Sequence, residues 1–292
     1  MSGLSKEEFS AVMREHGGKD EMQVVWKFYC GLENFHYEES LFEEILKLHD
    51  DTLFHCACAF ESQEPNACDC LIQLQKDNDI CISDTILVPS HFLSIGFVVS
   101  NSSTPVSVVL LKCNMSGVNM GYFASSSILC ENLQHLDLSS NVLTDDDITT
   151  LAEGLKETFL LTLSISKNEV GDEGIIELAN SLEESTSLES LDLSSNKISG
   201  RGMKHLCESL KDLTELKILN VGRNKIQDEG VHCLSESLKS LKKLKSLHLE
   251  RNEISGNGIA SLAEGLKYCT ELQSLYLGAN ECSLARLVPF CR

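Results

Sequence analysis

An asparagine recurs at a nearly constant interval through the second part of the chain. The successive intervals are 27, 27, 28, 28, 28 and 28 residues, and the positions are Asn114, Asn141, Asn168, Asn196, Asn224, Asn252 and Asn280. Aliphatic residues precede each asparagine at offsets −8, −5 and −3, as Leu244, Leu247 and Leu249 precede Asn252. Self-similarity at a fixed period is the signature of an array of stacked units. The pattern therefore predicts about seven copies of one structural unit.

The offsets within one period predict a strand, a turn and a helix. The residues at −5 and −3 alternate with their neighbours, which is typical of a short strand buried on one face. A buried asparagine after the strand must hydrogen-bond to the backbone of the turn. Apolar residues then follow at +7, +10 and +14, such as Ile259, Leu262 and Leu266, and lie on one stripe of a helix. This is the pattern of a leucine-rich repeat, which predicts an α/β horseshoe with a parallel sheet inside and helices outside.

The two ends of the array depart from the pattern. The first unit places Val106, Val109 and Leu111 at the core positions before Asn114, but it lacks leucines in its helical half. The last unit keeps Leu287 at +7 and Phe290 at +10 and is truncated soon after. A terminal repeat without a polar cap exposes apolar surface. We therefore expect either that the chain was cut from something longer or that a partner associates through the uncapped C-terminal repeat.

The first hundred residues do not repeat and carry helical patterns. Leu53, Cys56, Ala57 and Phe60 occupy positions i, i+3, i+4 and i+7 of one such pattern. The sequence SNSSTP at 100–105 is the clearest linker in the chain. We therefore expect an all-α helical domain at 1–100, followed by the repeats at 101–292.

Four cysteines lie close together in the stretch HCACAFESQEPNACDC, and they raise the question of a zinc site. Residues two apart on a helix point about 200° from each other, so Cys56 and Cys58 are poorly placed to bind one ion. Structural zinc is usually bound by C-x-x-C hooks on turns, and two C-x-C pairs match that spacing weakly. Buried cysteine otherwise behaves as a small apolar residue. The pattern favours core packing over a metal, and it indicates no cofactor.

The charge of the chain limits its partners. The formal net charge is −20, which repels phosphate backbones and anionic membranes, so we expect no nucleic acid and no membrane partner. The N-terminal sequence MSGLSKEEFS is charged and lacks the apolar core of a signal peptide. We therefore expect a cytoplasmic protein whose thiols are reduced.

Histidines beside cysteines raise the question of catalysis. His55 precedes Cys56 and His232 precedes Cys233, but adjacent residues on a helix point about 100° apart, which is poor geometry for a nucleophile and its base. The G-x-S-x-G elbow of serine hydrolases is also missing from the sequence. The sequence thus predicts no catalytic residue and no enzyme.

The concave face of the predicted sheet is the best candidate for binding a protein partner. Its side chains lie at −6, −4 and −2 from each asparagine, and most of them are small and polar. Interface anchors are usually Trp, Tyr or Arg, and they are sparse here. The candidate residues are His135, Asp137, Asp192, His248, Glu250, Arg251 and Tyr276. Any one of them is also compatible with an ordinary solvated surface, and we expect the main contacts towards the C-terminal half.

Several segments resemble a known family. The period of 28 with DEG before the helix, as in VGDEGIIELANSL, resembles the ribonuclease-inhibitor class of leucine-rich repeat. The segments WKFYCGL (26–32), LFHCACAFESQ (53–63) and LVPSHFLSIGFVVSNSS (87–103) are similar to the second helical domain of NOD-like receptors and to the helix that leads into their repeats. The resemblance covers nearly the whole chain and implies that His55 and Cys56 are framework residues.

The chain differs from NOD-like receptors in one large feature, the nucleotide-binding domain. NOD-like receptors carry a nucleotide-binding NACHT domain upstream, whereas this chain has no G-x-x-x-x-G-K-[ST] phosphate loop. The resemblance therefore implies a protein–protein interaction module with a sensing or regulatory role in innate immunity, but no ATP-driven assembly. The alternatives are an enzyme inhibitor or GTPase activator built on the same repeat, or a gene fragment without a role of its own.

Overall fold

The computed structural model describes residues 42–43, 46–47, 51–75, 79–126, 130–156, 158–183 and 185–281. Its strands form one parallel sheet in which each strand pairs with the next along the chain. The strands are β1 (Asp79–Ser83), β2 (Val106–Leu111), β3 (Leu133–Asp137), β4 (Thr162–Ser164), β5 (Ser190–Asp192), β6 (Ile218–Asn220), β7 (Ser246–His248) and β8 (Ser274–Tyr276). The helices are α1 (Thr52–Ser62), α2 (Pro65–Leu74), α3 (Pro89–Asn101), α4 (Val118–Ser125), α5 (Asp145–Leu155), α6 (Asp172–Leu182), α7 (Gly200–Leu210), α8 (Gln227–Ser237) and α9 (Gly256–Leu266). The predicted α/β class, with strand and helix alternating, is confirmed.

The core lies between the sheet and the helices. The residues at −5 pair across neighbouring strands in one column, as in Leu191 with Leu219 and Leu219 with Leu247. These leucines are completely buried, and so is Leu193 at −3. From the helices, Leu262 of α9 enters the same core. Each unit therefore buries its apolar residues only by stacking on its neighbours, as the repeat pattern requires.

The asparagines form a ladder of hydrogen bonds that links each unit to the next. The amide of Asn252 donates to the carbonyl oxygens of Val221 and Leu249 at 2.9 and 3.2 Å. Its Oδ1 accepts from the backbone N–H groups of Asn224 and Ile226 at 3.2 and 3.4 Å. Because this side chain is fully buried, only a group with both donors and an acceptor satisfies the turn. The ladder asparagines are Asn141, Asn168, Asn196, Asn224, Asn252 and Asn280.

The first predicted unit has a different register. The backbone N–H of Cys113, not of Asn114, donates to Oδ1 of Asn141 at 2.7 Å, so Cys113 occupies the ladder position. Its thiol donates to the carbonyl oxygens of Ile82 and Leu111, both at 3.4 Å, and so replaces the asparagine amide. Asn114 is exposed. The prediction that Asn114 belongs to the ladder was therefore wrong by one residue.

This shift changes which side chains of β2 are buried. Val108 and Leu110 are completely buried, whereas Val109 and Leu111 are half-buried. An irregularity between Val106 and Ser107 absorbs the extra residue. Because side chains alternate along a strand, a shift of one residue moves them to the opposite face. The predicted core positions Val109 and Leu111 were therefore wrong, and only Val106 was right.

The sheet begins before the first predicted repeat. Strand β1 pairs in parallel with β2, with Ile80 opposite Val108 and Ile82 opposite Leu110. The helical patterns of the first hundred residues did not indicate this strand, which is short and precedes no asparagine. Helix α3 then runs to Asn101, within the predicted linker. The domain boundary at residue 100 stays a prediction.

The four clustered cysteines lie in α1 and α2, where all four are buried. Burial raises the pKa of Cys56, and it raises the pKa of Cys68 to about 12. Within the described ranges, no group of three or more His, Cys, Asp or Glu side chains is arranged to hold a metal ion. The burial supports the packing role.

A second set of bonds links the units at the helix N-termini. The carboxylate of Asp172 accepts from the backbone N–H of Ser199 in the next unit at 2.8 Å, and Asp228 does the same for Ser255 at 2.8 Å. Asp145 accepts from the N–H of Gly171 at 2.6 Å. The equivalent position in α7 is Gly200, which has no side chain to form this bond. The series is therefore interrupted between the units of Asn196 and Asn224.

Some predicted features lie outside the described residues. These are the aromatic segment 26–32 and the C-terminal apolar residues Leu287 and Phe290.

Candidate partner-binding face

None of the described helices covers one face of the sheet, and we call this face the open face. Its side chains lie at −6, −4 and −2 from the ladder position, and it is the predicted concave face. The open-face residues from β3 to β8 are partly accessible in most units, in contrast to the buried column at −5 behind β3 to β7. All seven candidate residues lie on this face or at its rim.

At the N-terminal end of the open face, His135 and Asp137 lie in one cavity of about 420 Å³. The cavity is lined by Asp79, Ser107, Val109, His135, Leu136, Asp137, Thr162 and Ser164. His135 Nδ1 lies 2.9 Å from the Thr162 hydroxyl. Asp137 accepts from the backbone N–H of Ser139 at 2.9 Å. These bonds position both side chains in a cavity that has both polar and apolar walls.

In the middle of the face, Asp192 is held by its neighbours. One carboxylate oxygen accepts from the backbone N–H of Ser194 at 2.9 Å, and the other accepts from the Asn220 amide at 3.0 Å. Asn220 in turn accepts from the N–H of Gly222 at 3.1 Å. The residue therefore forms part of a fixed polar surface.

Two aromatic rings meet near the C-terminal end of the face. His248 and Tyr276 are stacked, with ring centroids 4.2 Å apart and planes 16° apart. The His248 Nε2 lies 2.9 Å from the hydroxyl of Ser246, which fixes the imidazole. Tyr276 is 49% exposed. The pair forms a rigid aromatic surface, and amphipathic aromatic rings are efficient interface anchors.

Glu250 lies beside this pair on the floor of the open face. Its Oε2 is buried and has no hydrogen-bond donor within the described residues. A Cβ at Gly222 would lie 2.7 Å from the Glu250 carboxyl carbon, so the carboxylate packs directly over that glycine. A buried carboxylate oxygen without a donor costs free energy, which makes Glu250 an unusual residue of this face.

Exposed cations line the rim where the strands end. Arg223 and Arg251 occupy the position before the ladder asparagine, with φ values of 57° and 55°. Their backbone N–H groups donate to the backbone carbonyl oxygens of Glu250 at 2.6 Å and Gly278 at 2.9 Å, so the two arginines lie on consecutive turns. Neither arginine forms an ion pair within the described ranges.

The candidate residues thus fall into separate groups. His135 and Asp137 share the N-terminal cavity, whereas His248, Glu250, Arg251 and Tyr276 come together at the other end. The accessible residues outside the candidates include Ile218, which is 42% exposed at −6, and Arg223. Ile218 follows from the −6 offset, whereas Arg223 lies at −1 on the rim, at the position that the candidate Arg251 occupies one unit later. Asp79 and Val109 were missed because β1 was not predicted and β2 was placed in the wrong register.

None of the helices in the described part of the chain combines the length and apolarity needed to cross a bilayer.

Comparison with protein families finds the leucine-rich repeat. Its profile matches five segments, residues 129–152, 156–179, 184–207, 213–235 and 240–263. Each matched segment contains one strand, the ladder asparagine and most of the following helix. The chain therefore carries leucine-rich repeats, and the sheet geometry extends the array on both sides of the matched segments.

Comparisons with individual proteins add less. A search of curated proteins finds no significant match. Among solved structures, an internalin from Listeria monocytogenes is 21% identical, covers 86% of this chain and 74% of its own, and has a TM-score of 0.46. The actin-binding site 2 of leiomodin-1 is 17% identical, covers 46% of this chain and 76% of its own, and has a TM-score of 0.37.

Proposed function

We propose that this chain is a protein–protein interaction module that binds a protein partner on its open face. The observation that carries the proposal is the rigid group formed by His248 and Tyr276 beside Glu250 and the rim arginines. A stacked aromatic pair at an accessible surface presents contact area that loses little conformational entropy on binding. The polar, hydrogen-bonded remainder of the face provides a complementary surround.

The repeat itself supports a scaffold without catalysis. The open face of a leucine-rich repeat array is an extended surface made of side chains from many units. Its polar residues on the described strands are hydrogen-bonded to one another, as His135 is to Thr162 and Asp192 is to Asn220. Such bonds stabilise a fixed surface.

A more specific proposal concerns the cellular role. We propose a cytoplasmic regulatory or ligand-sensing protein of innate immunity, related to NOD-like receptors. The support is the resemblance of 53–63 and 87–103 to that family's helices. His55 and Cys56, which the resemblance treats as framework residues, are buried in α1, and Phe92 packs edge-on against Phe123 of the repeats at 6.3 Å. This contact joins α3 to the array, as a helix leading into the repeats would.

The test is a pull-down from a reducing cytosolic extract, read by quantitative mass spectrometry. The bait is the full chain, compared with a variant carrying His248→Asp and Tyr276→Ala. The matched control carries His205→Asp and Tyr268→Ala, the same two changes at exposed positions off the open face. We expect partners that the wild type and the control retain and the open-face variant loses.

Circular dichroism of all three proteins establishes that they are folded. Equal capture by all three would refute binding at the C-terminal open face. Loss of partners in the control variant alone would place the binding site on the helical side of the array. Partners that belong to innate immune signalling would support the specific role, and a set without them would remove it.

A further inference from the structure

We infer that the C-terminal rim of the open face binds an acidic peptide segment of the partner, with an aromatic or aliphatic side chain next to its carboxylates. The surface consists of Arg223, Lys225 and Arg251 at the rim, with Ile218, His248 and Tyr276 on the adjoining strands. We call it the basic–aromatic strip. This inference rests on the proposed binding function and names the chemistry of the partner.

The three cations are exposed and have no ion-pair partner among the residues that the structure describes. Lys197, Lys217 and Lys243 each form an ion pair with a glutamate of the preceding unit. Arg223, Lys225 and Arg251 form none with any described residue. Adjacent parallel strands lie about 4.8 Å apart, so the two arginines on consecutive turns repel each other without a counter-charge.

The neighbouring carboxylates do not supply that counter-charge. Glu250 is turned over Gly222 on the floor of the face. Glu253 accepts a hydrogen bond from the Gln227 amide at 2.9 Å. The arginine guanidinium groups are therefore open to carboxylates from another molecule, which arginine binds in bidentate geometry.

The apolar part of the strip lies within one peptide's reach of the arginines. Tyr276 and His248 are at −4 and Arg251 is at −1, and a strand rises about 3.3 Å per residue, so the separation along the strand is about 10 Å. Ile218 occupies the −6 position of β6, two strands away from Tyr276 on β8, and its side chain is 42% exposed. A peptide of a few residues can therefore contact the ring surface and both arginines together.

The net charge of −20 does not prevent this contact. At an ionic strength of about 0.1 M the Debye length is about 10 Å, so distant carboxylates are screened while the arginines act at close range. The same net charge disfavours a long polyanion such as nucleic acid, whose phosphates extend beyond the strip. The short acidic peptide is the occupant that the charge distribution favours.

The test uses defined peptides and fluorescence anisotropy with the full reduced chain. The main probe is a labelled peptide in which glutamates flank one tryptophan. Two matched probes replace the glutamates with lysines or the tryptophan with alanine, and a labelled single-stranded oligonucleotide is the polyanion arm. The variant is Arg223→Glu with Arg251→Glu. The control is Lys167→Glu, which alters an exposed cation at the same turn position, with φ of 55°, three units from Arg251.

We expect the glutamate–tryptophan peptide to bind, the lysine peptide not to bind, and the alanine peptide to bind at least tenfold more weakly. The double arginine variant should lose at least tenfold in affinity, the control less than twofold, and binding should weaken as salt is raised. Equal losses in variant and control, preference for the lysine peptide, or no binding at all would overturn the inference. Oligonucleotide binding of equal affinity would also overturn it.

Failure here is distinguishable from failure of the proposed function. The peptide assay does not require a natural partner, and the pull-down does not require an acidic one. A partner lost in the His248→Asp and Tyr276→Ala variant, together with no peptide binding, would overturn the acidic chemistry and leave the open-face module in place.

Discussion

Alanine at two asparagines should have very different effects on stability, although the sequence pattern treats them alike. Asn252 is fully buried in the ladder, whereas Asn114 is exposed. In Asn252→Ala, the carbonyl oxygens of Val221 and Leu249 keep a second donor, the amides of Asn224 and Asn280 respectively. The backbone N–H groups of Asn224 and Ile226 lose their only acceptor among the described residues.

The magnitude follows from those two orphaned groups. Each buried donor without an acceptor costs about 1–3 kcal/mol, and the Ile226 bond is long, so we expect Asn252→Ala to lower the free energy of unfolding by about 3 kcal/mol. Asn114→Ala loses no side-chain hydrogen bond within the described part of the chain. Its backbone has φ of 51°, a conformation that alanine adopts less readily than asparagine at a cost of about 1 kcal/mol.

The measurement is urea denaturation in reducing buffer, followed by circular dichroism, with amide hydrogen exchange as a second readout. Total stabilities of about 5–15 kcal/mol leave both variants folded. Exchange should accelerate around residues 219–254 in Asn252→Ala and stay unchanged there in Asn114→Ala. Equal losses in the two variants, or a loss below about 1 kcal/mol for Asn252→Ala, would refute the assignment of the ladder.

Three further predictions concern other residues. Cys113→Asn should leave stability unchanged or raise it by about 1 kcal/mol, because an amide donates to the same carbonyls more strongly than a thiol; destabilisation in urea would contradict this register. Glu250→Gln should not reduce the free energy of unfolding, because the carboxylate oxygen Oε2 has no donor to lose; a drop of more than about 1 kcal/mol would show a partner that the structure lacks. Burial raises the pKa of Cys207 to about 12, so iodoacetamide at pH 8 should label exposed Cys81 and spare Cys207, as mapped by mass spectrometry; labelling of Cys207 in the folded protein would contradict its burial.

Much of the array could be predicted from the sequence because one physical demand recurs in each unit. From the unit of Asn141 to that of Asn252, the aliphatic offsets and the asparagine specify burial and hydrogen bonding together. The prediction fails where a strand has the aliphatic pattern but no asparagine at the ladder position. Cys113 forms the ladder hydrogen bonds with its thiol, whereas the neighbouring Asn114 matches the sequence pattern but is exposed. Strand β1 has alternating Ile80 and Ile82 but no asparagine, so nothing in the period indicated it.

The sequence predicted where the candidate residues lie on the sheet, but it did not predict which side-chain contacts they make. Offsets placed His248 and Tyr276 on adjacent strands, and strand spacing makes their stacking a natural outcome. The position of the Glu250 carboxylate over Gly222 depends on rotamers, which the pattern does not specify. The accessible cavity around His135 depends on β1 and on the register of β2, and so could not be predicted without them.

The interruption of the aspartate series at Gly200 has a consequence for how the array comes apart. Units contact only their neighbours, so partial unfolding spreads until it meets a weaker joint. The joint between the units of Asn196 and Asn224 keeps the asparagine bond, the apolar core, the Asn220–Asp192 hydrogen bond and the Lys217–Glu189 ion pair, but it lacks the aspartate bond at the helix N-terminus. The molecule should therefore open in two blocks that separate at this joint, one containing the basic–aromatic strip and the other containing the cavity around His135.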